Sequence, residues 1–240
     1  LGEAGLGSGC SVIQLAGDMW SGLLGLSSDV EEAWGEQALR SLWKYNYARD
    51  IGPFREQFTS GRWYASGGDA GLVHTTWPLE GYREHWSELP GAERVNEVRL
   101  GWEWLVATHM MRFRQSQVAG ILVARAIHDR YRPEFRNPYN AVDGGDHALS
   151  AWGAWGYYEA LCGYSCDAAS ASFSFNPTIK PEKFRSVFVG PHGWGTFDQR
   201  INDNRCVVTL RLLSGRLQLA RLNLDPPGSQ RWVRADVTLA

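Results

Sequence analysis

The chain has 240 residues, of which 44% are apolar, and it carries a net charge of −2 with a pI near 6.3. This length suits one large domain or two small ones, and the charge excludes the strongly basic character typical of nucleic-acid-binding proteins. No apolar run reaches the ~18–20 residues that a bilayer-spanning helix needs, so we expect no transmembrane segment.

The first half of the chain is predicted to be mainly helical. Residues 12–26 form one candidate helix. Asp29, followed three residues later by Glu32, has the capping-box pattern and is predicted to cap a second helix that runs to about residue 47. Residues 51–95 are rich in glycine, proline and polar residues without a sustained period, which predicts a long loop. Two short strands are expected within this loop, at 62–65 and 72–75.

Three more helices are predicted before the pattern changes, at 97–114, 116–131 and 147–162. Gly163 has the position of a helix-ending glycine. Beyond it, apolar residues alternate with polar ones, which indicates strands. The strand candidates are 173–175, 185–189, 195–201, 207–213, 216–222 and 232–239. Ser214 and Gly215 separate two of them as a two-residue hairpin loop would. The predicted division is therefore a helical part at 1–163 and a β-rich segment at 164–240.

Cysteine and tryptophan usage narrows the chemistry. Four cysteines are too few for a disulfide scaffold, and nothing completes a zinc set around Cys162 and Cys166, so neither a metal nor another cofactor is expected. Twelve tryptophans are unusually many. Because tryptophan is a large hydrophobe that also stacks on sugar rings, we expect most of them in a helix–helix core and a few in a carbohydrate cleft.

Four motifs occur in a recognisable order: IQLAGDMWSGLLGL at 13–26, DAGLVHTTWP at 69–78, RNPYNAVDGGDHALSAWGAWGYYEALCGY at 136–164 and GWGTF at 193–197. Together they resemble the C-terminal part of glycoside hydrolase family 116, the non-lysosomal glucosylceramidase and β-glucosidase family. The resemblance implies a mainly α fold, in which this chain supplies the last helices of an (α/α)6 toroid followed by a β-rich tail. It also implies a carbohydrate or glycoside as ligand. The helical face would then be covered by an upstream part of the same protein or by other subunits.

The family's catalytic acid has no counterpart in the direct alignment. Its aspartate lies in a motif like A-D-Q-L-A-G-Q-W-Y, which matches this chain at Gln14, Ala16 and Gly17 but places Ile13 at the aspartate. Isoleucine cannot donate a proton. Asp18 is the candidate for a relocated acid if the helix is rotated or the register slips, and otherwise it is a structural or solvated carboxylate. The resemblance places the family's nucleophilic glutamate upstream of this chain.

The family's sugar-binding motif is also altered. A segment like N-P-W-N-E-I-E-C-G-D-H-Y-A-R aligns with 137–150, where its first glutamate becomes Ala141 and its arginine becomes Ser150. Asp143 keeps the second acidic position, and Arg99 replaces a tryptophan of a further segment. Asp146 also has the alternative role of capping the helix that begins near residue 147. The candidate substrate-binding residues are His74, Asp69, Trp77, Glu97, Arg99, Asp143, Asp146 and His147.

Two functional interpretations remain open. The first is a glycoside hydrolase-like protein with an altered, inactive or retuned site, whose carboxylates would come from Asp18, Asp69, Glu97, Asp143 and Asp146. The second is a non-catalytic carbohydrate-binding or assembly protein. They differ in whether two carboxyl groups face each other at ~5–5.5 Å or ~6.5–9.5 Å across a cleft. We expect no glucosylceramidase-type activity.

Overall fold

The computed structural model describes residues 6–58, 63–79, 95–139, 153–202 and 205–225. Tertiary contacts divide the chain into two compact units, Leu1–Ala160 and Leu161–Ala240. The described residues are 37% helical and 27% strand, with six helices and four small sheets, so the predicted mainly α toroid fragment is wrong. The physical reason is that a 3.6-residue apolar period shows only that one helix face is buried. It does not show that other helices, rather than strands and loops, bury that face.

The helices of the first unit are shorter than predicted. They are α1 (Ala16–Leu23), α2 (Glu32–Tyr45), α3 (Gly52–Gln57), α4 (Leu100–Arg112) and α5 (Gln117–Arg130), and α6 (Ala154–Cys162) passes the unit boundary. The predicted capping box is wrong, because α2 has Glu31 at its N-cap without a side-chain cap. Helix α3 lies in the segment that was predicted as loop, and Pro53 occupies its first turn, where proline loses no helical hydrogen bond.

Short strands tie this segment to the helices. Strand β1 (Cys10–Ser11) pairs antiparallel with β4 (Thr75–Thr76), and β2 (Tyr47–Ala48) pairs antiparallel with β3 (Gly71–Leu72). A single bridge joins Val73 to Val98 just before α4. The stretch 62–65 forms no strand in its described part. Because β2 directly follows α2, the end of that helix is held against the 69–78 segment.

The core of the first unit centres on α4. Ten of its residues are buried, including Leu105, Met110 and Met111. Helix α5 packs closely on α4 at Gly120. A Cβ atom at this position would lie only 3.0 Å from the Met110 Cβ and from the Ala107 carbonyl oxygen. A second cluster joins Ile51, Ala65, Val73 and Val98 beneath α3. Of the described helices, none is long and apolar enough to cross a membrane.

The tryptophans that the structure describes do not form the core, contrary to expectation. All nine that the structure describes are exposed or only partly buried. Trp20 is 44% exposed, and Trp34, Leu24 and Leu26 are more than 60% exposed. The buried faces of the helices instead carry mainly leucine, methionine and valine, and tryptophans such as Trp20 and Trp34 lie on the exposed faces.

The second unit contains two three-stranded sheets. One has the order β7 (Lys183–Gly190), β8 (Gly193–Asn202), β9 (Arg205–Gly215), all antiparallel. The other has the order β10 (Arg221–Leu224), β6 (Ser172–Phe175), β5 (Ser165–Asp167). The predicted hairpin at Ser214–Gly215 is wrong, since β10 pairs in parallel with β6 and not with β9.

Phenylalanines from both sheets form the core of the second unit. Phe173 and Phe175 come from one sheet, and Phe188 and Phe197 come from the other; all four are buried. The rings of Phe175 and Phe197 stack with centroids 4.1 Å apart. Gly163, with φ of +54°, ends α6 as the sequence predicted. A Cβ there would lie 1.9 Å from the carbonyl oxygen of Asn176, so the position requires glycine both for its backbone angle and for space.

Candidate functional site

A cleft of about 290 Å³ opens in the first unit between the end of α2, helix α3 and strand β4. This volume is just below the ~300–1,000 Å³ usual for ligand sites, so the cleft suits a small ligand. The aromatic part of its wall consists of Tyr45, Phe54, Phe58 and Trp77. The polar part consists of Lys44, Gln57, Thr75, Thr76 and Asn96, with Pro78 completing the wall. No carboxylate occurs among these lining residues.

Asn46 organises one side of the cleft. Its backbone N–H donates to the Leu42 carbonyl at 2.9 Å and closes α2. Its side-chain Nδ2 donates to the carbonyl oxygens of Cys10 at 2.8 Å and Val73 at 2.9 Å. These bonds satisfy a fully buried amide and join α2, β1 and the segment before β4. Thr76, whose hydroxyl is 3.4 Å from the Asn46 Oδ1, is thereby placed at the cleft wall.

Trp77 and Asn96 are oriented by hydrogen bonds to the backbone. The Trp77 Nε1 donates to the Leu6 carbonyl at 3.1 Å, so the indole N–H is already used and Trp77 offers its ring to the cleft. The Asn96 Nδ2 donates to the Phe58 carbonyl at 2.9 Å, and no described residue donates to its Oδ1. The cleft thus combines ring surfaces with amide and hydroxyl groups, the combination that recognises a sugar through stacking and hydrogen bonding.

Glu97 lies behind this wall and not in it. Its carboxylate is fully buried, forms an ion pair with Arg55 and accepts the Val98 backbone N–H at 2.8 Å. Arg55 in turn donates through Nη1 to the Asn96 carbonyl at 2.8 Å. Burial lowers the pKa of the Arg55 guanidinium, and the negative charge of Glu97 counters that effect. Glu97 therefore positions Asn96 but does not reach into the cleft.

His74 is buried next to the cleft in a neutral form. Burial, with a smaller contribution from the positive charge of Arg99, lowers its pKa to about 4. Its Nδ1 is 2.9 Å from the Thr75 hydroxyl, and that hydroxyl donates to the Ser11 hydroxyl at 3.0 Å. The ring meets Trp102 edge-on. Since Thr75 is fully buried as well, the hydroxyl chain supports β1 and β4 from behind.

Asp18 is found in a different place, on α1 facing α4. Its Oδ2 is 2.8 Å from the His109 Nε2, and its Oδ1 accepts from the Ser28 hydroxyl. Neither ring nitrogen of His109 makes a well-directed hydrogen bond with a described residue, so this contact is a close charge–dipole approach. Burial, only partly opposed by Asp18, lowers the pKa of His109 to about 4. Asp18 does not line the cleft.

The remaining predicted site residues are dispersed. Asp69 pairs with Arg136 at 2.8 Å and accepts the Ser66 backbone N–H at 2.8 Å, which closes a loop. Arg99 is at the N-cap of α4. Asp143, Asp146 and His147, as well as Ala141 and Ser150, lie outside the described residues. Of the predicted residues the structure describes, Trp77 lines the cleft, with His74 and Glu97 directly behind it.

Several residues of the site were not predicted from the sequence. Phe54 and Phe58 are four residues apart in the sequence, and their ring centroids are 5.0 Å apart at the end of α3. This sequence separation, which places two side chains on one helix face, could have indicated the helix. Tyr45 was not predicted as a site residue. Outside the cleft lining, a second buried ion pair, between Glu103 and Arg130, was also not predicted. The described residues include no group of three or more metal-ligating side chains.

No protein-family model matches the chain, and a search of curated proteins found no significant match. The resemblance to family 116 therefore rests on the sequence motifs, and the activity that it implies stays a prediction.

Proposed function

We propose that this protein binds a carbohydrate in the cleft beside α2 and α3 and does not hydrolyse it. The observation that carries the proposal is the composition of the wall. It has four aromatic residues and five polar residues, of which Thr75 has a fully buried side chain, and no carboxylate in its described part. Sugar rings stack on aromatic faces, while their hydroxyls pair with amides and hydroxyls. The motif resemblance to β-glucosidases supports a glucoside as the bound sugar.

The absence of hydrolysis follows from the chemistry that the reaction needs. A glycosidase needs two carboxyl groups that flank the scissile bond at ~5–5.5 Å or ~6.5–9.5 Å. Glu97, the carboxylate next to the wall residue Asn96, is committed to Arg55. Asp18 is committed to Ser28 and His109. General acid–base catalysis contributes about 10²–10⁴-fold, so without a positioned acid we expect turnover near background.

One ligand tests both statements. p-Nitrophenyl β-glucoside should bind the full chain in calorimetry, and the Tyr45→Ala variant should bind it roughly tenfold more weakly because a stacking ring is lost. Trp34→Ala is the matched control, because Trp34 is an exposed aromatic residue of the same helix outside the cleft. Its affinity should equal that of the wild type.

Release of p-nitrophenol measures hydrolysis in the same samples. Turnover clearly above background that vanishes in Asp18→Asn would show that Asp18 is a relocated acid, and the non-catalytic proposal would be wrong. Binding that is unchanged in Tyr45→Ala, or weakened equally in Trp34→Ala, would refute the cleft as the sugar site.

A further inference from the structure

The outer face of the β7–β8–β9 sheet in the second unit carries an unusual concentration of positive charge. Strand residues alternate between the phenylalanine core and solvent, so the register determines which side chains share this face. Its exposed cations are Lys183, Arg185, Arg200, Arg205 and Arg211. Asp198 is the one carboxylate on the described part of the face. The second unit as a whole has ten Lys and Arg against six Asp and Glu, a net charge of +4 in a chain whose total is −2.

These cations are only partly neutralised within the described part of the protein, where Asp198 is an ion-pair partner of Arg200 and lies directly opposite Arg185 in the register. Asp198 pairs with Arg200 at 3.0 Å. Lys183, Arg185, Arg205 and Arg211 form no ion pair with any residue that the structure describes. Moreover, Lys183 is directly opposite Arg200 in the antiparallel register. Like charges in directly opposed positions destabilise a sheet. The Arg200–Asp198 ion pair offsets part of this repulsion, and a bound anion would relieve the rest.

The positions of the cations indicate an extended ligand. Arg205 and Arg211 are six residues apart on β9, about 20 Å at ~3.3 Å per residue. Across the strands, the basic side chains extend over three strands that are ~4.8 Å apart. A single small anion would contact one or two of these groups. A polymer with regularly spaced negative charges can contact all of them.

The face also presents one aromatic ring. Trp194 is 47% exposed, directly opposite Val189, at the end of the face away from Arg205. Single-stranded nucleic acids are bound by several aromatic side chains on which successive bases stack. The described part of this face offers only Trp194, alongside valines and threonines. One stacking ring with dispersed cations fits a sugar chain better than a chain of bases.

We infer that this sheet face binds an acidic polysaccharide, with carboxylate groups on the arginines and lysine and a sugar ring on Trp194. This site is separate from the cleft of the first unit and does not depend on it. Binding should be electrostatic, so it should weaken as salt screens the exposed charges.

Polygalacturonate is a suitable probe, tested against the full chain at about 50 mM and about 300 mM sodium chloride. The double variant Arg185→Gln/Arg211→Gln should bind roughly tenfold more weakly at the lower salt concentration and show a smaller salt dependence. Its matched control is Arg216→Gln/Arg221→Gln, which removes the same charge from exposed positions outside this face. Trp194→Ala should also weaken binding but leave the salt dependence unchanged, because stacking does not involve charge.

Each alternative outcome is distinguishable. Equal weakening by the two double variants would mean that net charge alone acts, and no binding at low salt would mean that no site exists; either result overturns the inference. Tighter binding of single-stranded oligo-dT than of polygalacturonate would assign the face to nucleic acid and would overturn it as well. Weaker polygalacturonate binding by Tyr45→Ala would locate the polymer in the cleft and overturn the inference. We expect this variant to bind polygalacturonate as the wild type does, whether or not the cleft binds a glucoside.

Discussion

The buried ion pair between Glu103 on α4 and Arg130 on α5 allows a quantitative test of how the first unit is held together. Both side chains are at most 2% exposed. The Glu103 Oε1 accepts the Leu72 backbone N–H at 3.0 Å, and Arg130 donates through Nη1 to the Ala70 carbonyl. The pair thus fastens β3, and with it the chain leading to the cleft, onto the two central helices. Burial raises the pKa of Glu103, which Arg130 and the Leu72 N–H counteract.

Replacing Glu103 with glutamine keeps the shape but removes the charge. Arg130 then remains a buried cation without its carboxylate, and breaking such a pair costs about 3–5 kcal/mol. Urea unfolding followed by far-UV circular dichroism, which is dominated by the helices of the first unit, measures the loss. Asp129→Asn is the matched control, because Asp129 forms a surface ion pair with Arg125, in which the Arg125 side chain is 68% exposed and the Asp129 side chain is 42% exposed. That change should cost much less than Glu103→Gln, because an exposed ion pair contributes little to stability.

The double variant Glu103→Leu/Arg130→Met separates the pair's net contribution from the cost of an uncompensated charge. Because hydrophobic replacement of a whole buried pair is often close to neutral, the double variant should be more stable than Glu103→Gln. A loss below about 1 kcal/mol in Glu103→Gln, or an equal loss in Asp129→Asn, would refute the conclusion that this pair is desolvated and structurally required.

Two further predictions concern stability. The first is acid sensitivity: the unfolded state protonates His74 and His109 below pH 6.5, whereas the folded state does so only near pH 4, so unfolding takes up protons and stability falls as the pH drops from 6.5 to 4. The loss should approach roughly 3 kcal/mol per histidine. In urea unfolding, His109→Gln should flatten the dependence of stability on pH, whereas His128→Gln, at an exposed position, should leave it unchanged. An equally steep dependence in both variants would contradict the assignment to His109. The second is that Gly163→Ala should cost about 3 kcal/mol or more, because strain at positive φ adds to the contact with the Asn176 carbonyl. Gly68→Ala, which has a φ of +87° in open space, should cost only about 1–2 kcal/mol, and thermal unfolding that shows equal losses would exclude the steric part.

The sequence alone determined several local features of this protein, although its capping-box and hairpin predictions were wrong. The helix predictions located α4 and α5 to within three residues at each end. Alternation located β6, β7 and β8, and Gly163 marked the end of α6. In each case the signal lies within a few consecutive residues, where backbone geometry and side-chain direction are coupled.

The tertiary structure alone decided which segments meet. Strands of two residues, such as β1 and β4, have no detectable period, and they exist because Asn46 supplies buried hydrogen bonds to the backbone around them. Strand pairing after Ser214–Gly215 was likewise decided by the tertiary structure. Instead of forming the predicted hairpin with β9, β10 pairs in parallel with β6, which lies 49 residues earlier in the sequence. The cleft follows this rule: Tyr45, Phe54 and Trp77 come from a helix end, a short helix and a strand end. The residue types suggested which contacts these side chains could make with a ligand. Only packing places the side chains around one cavity, because long-range contacts depend on burial across the whole unit and not on neighbouring sequence.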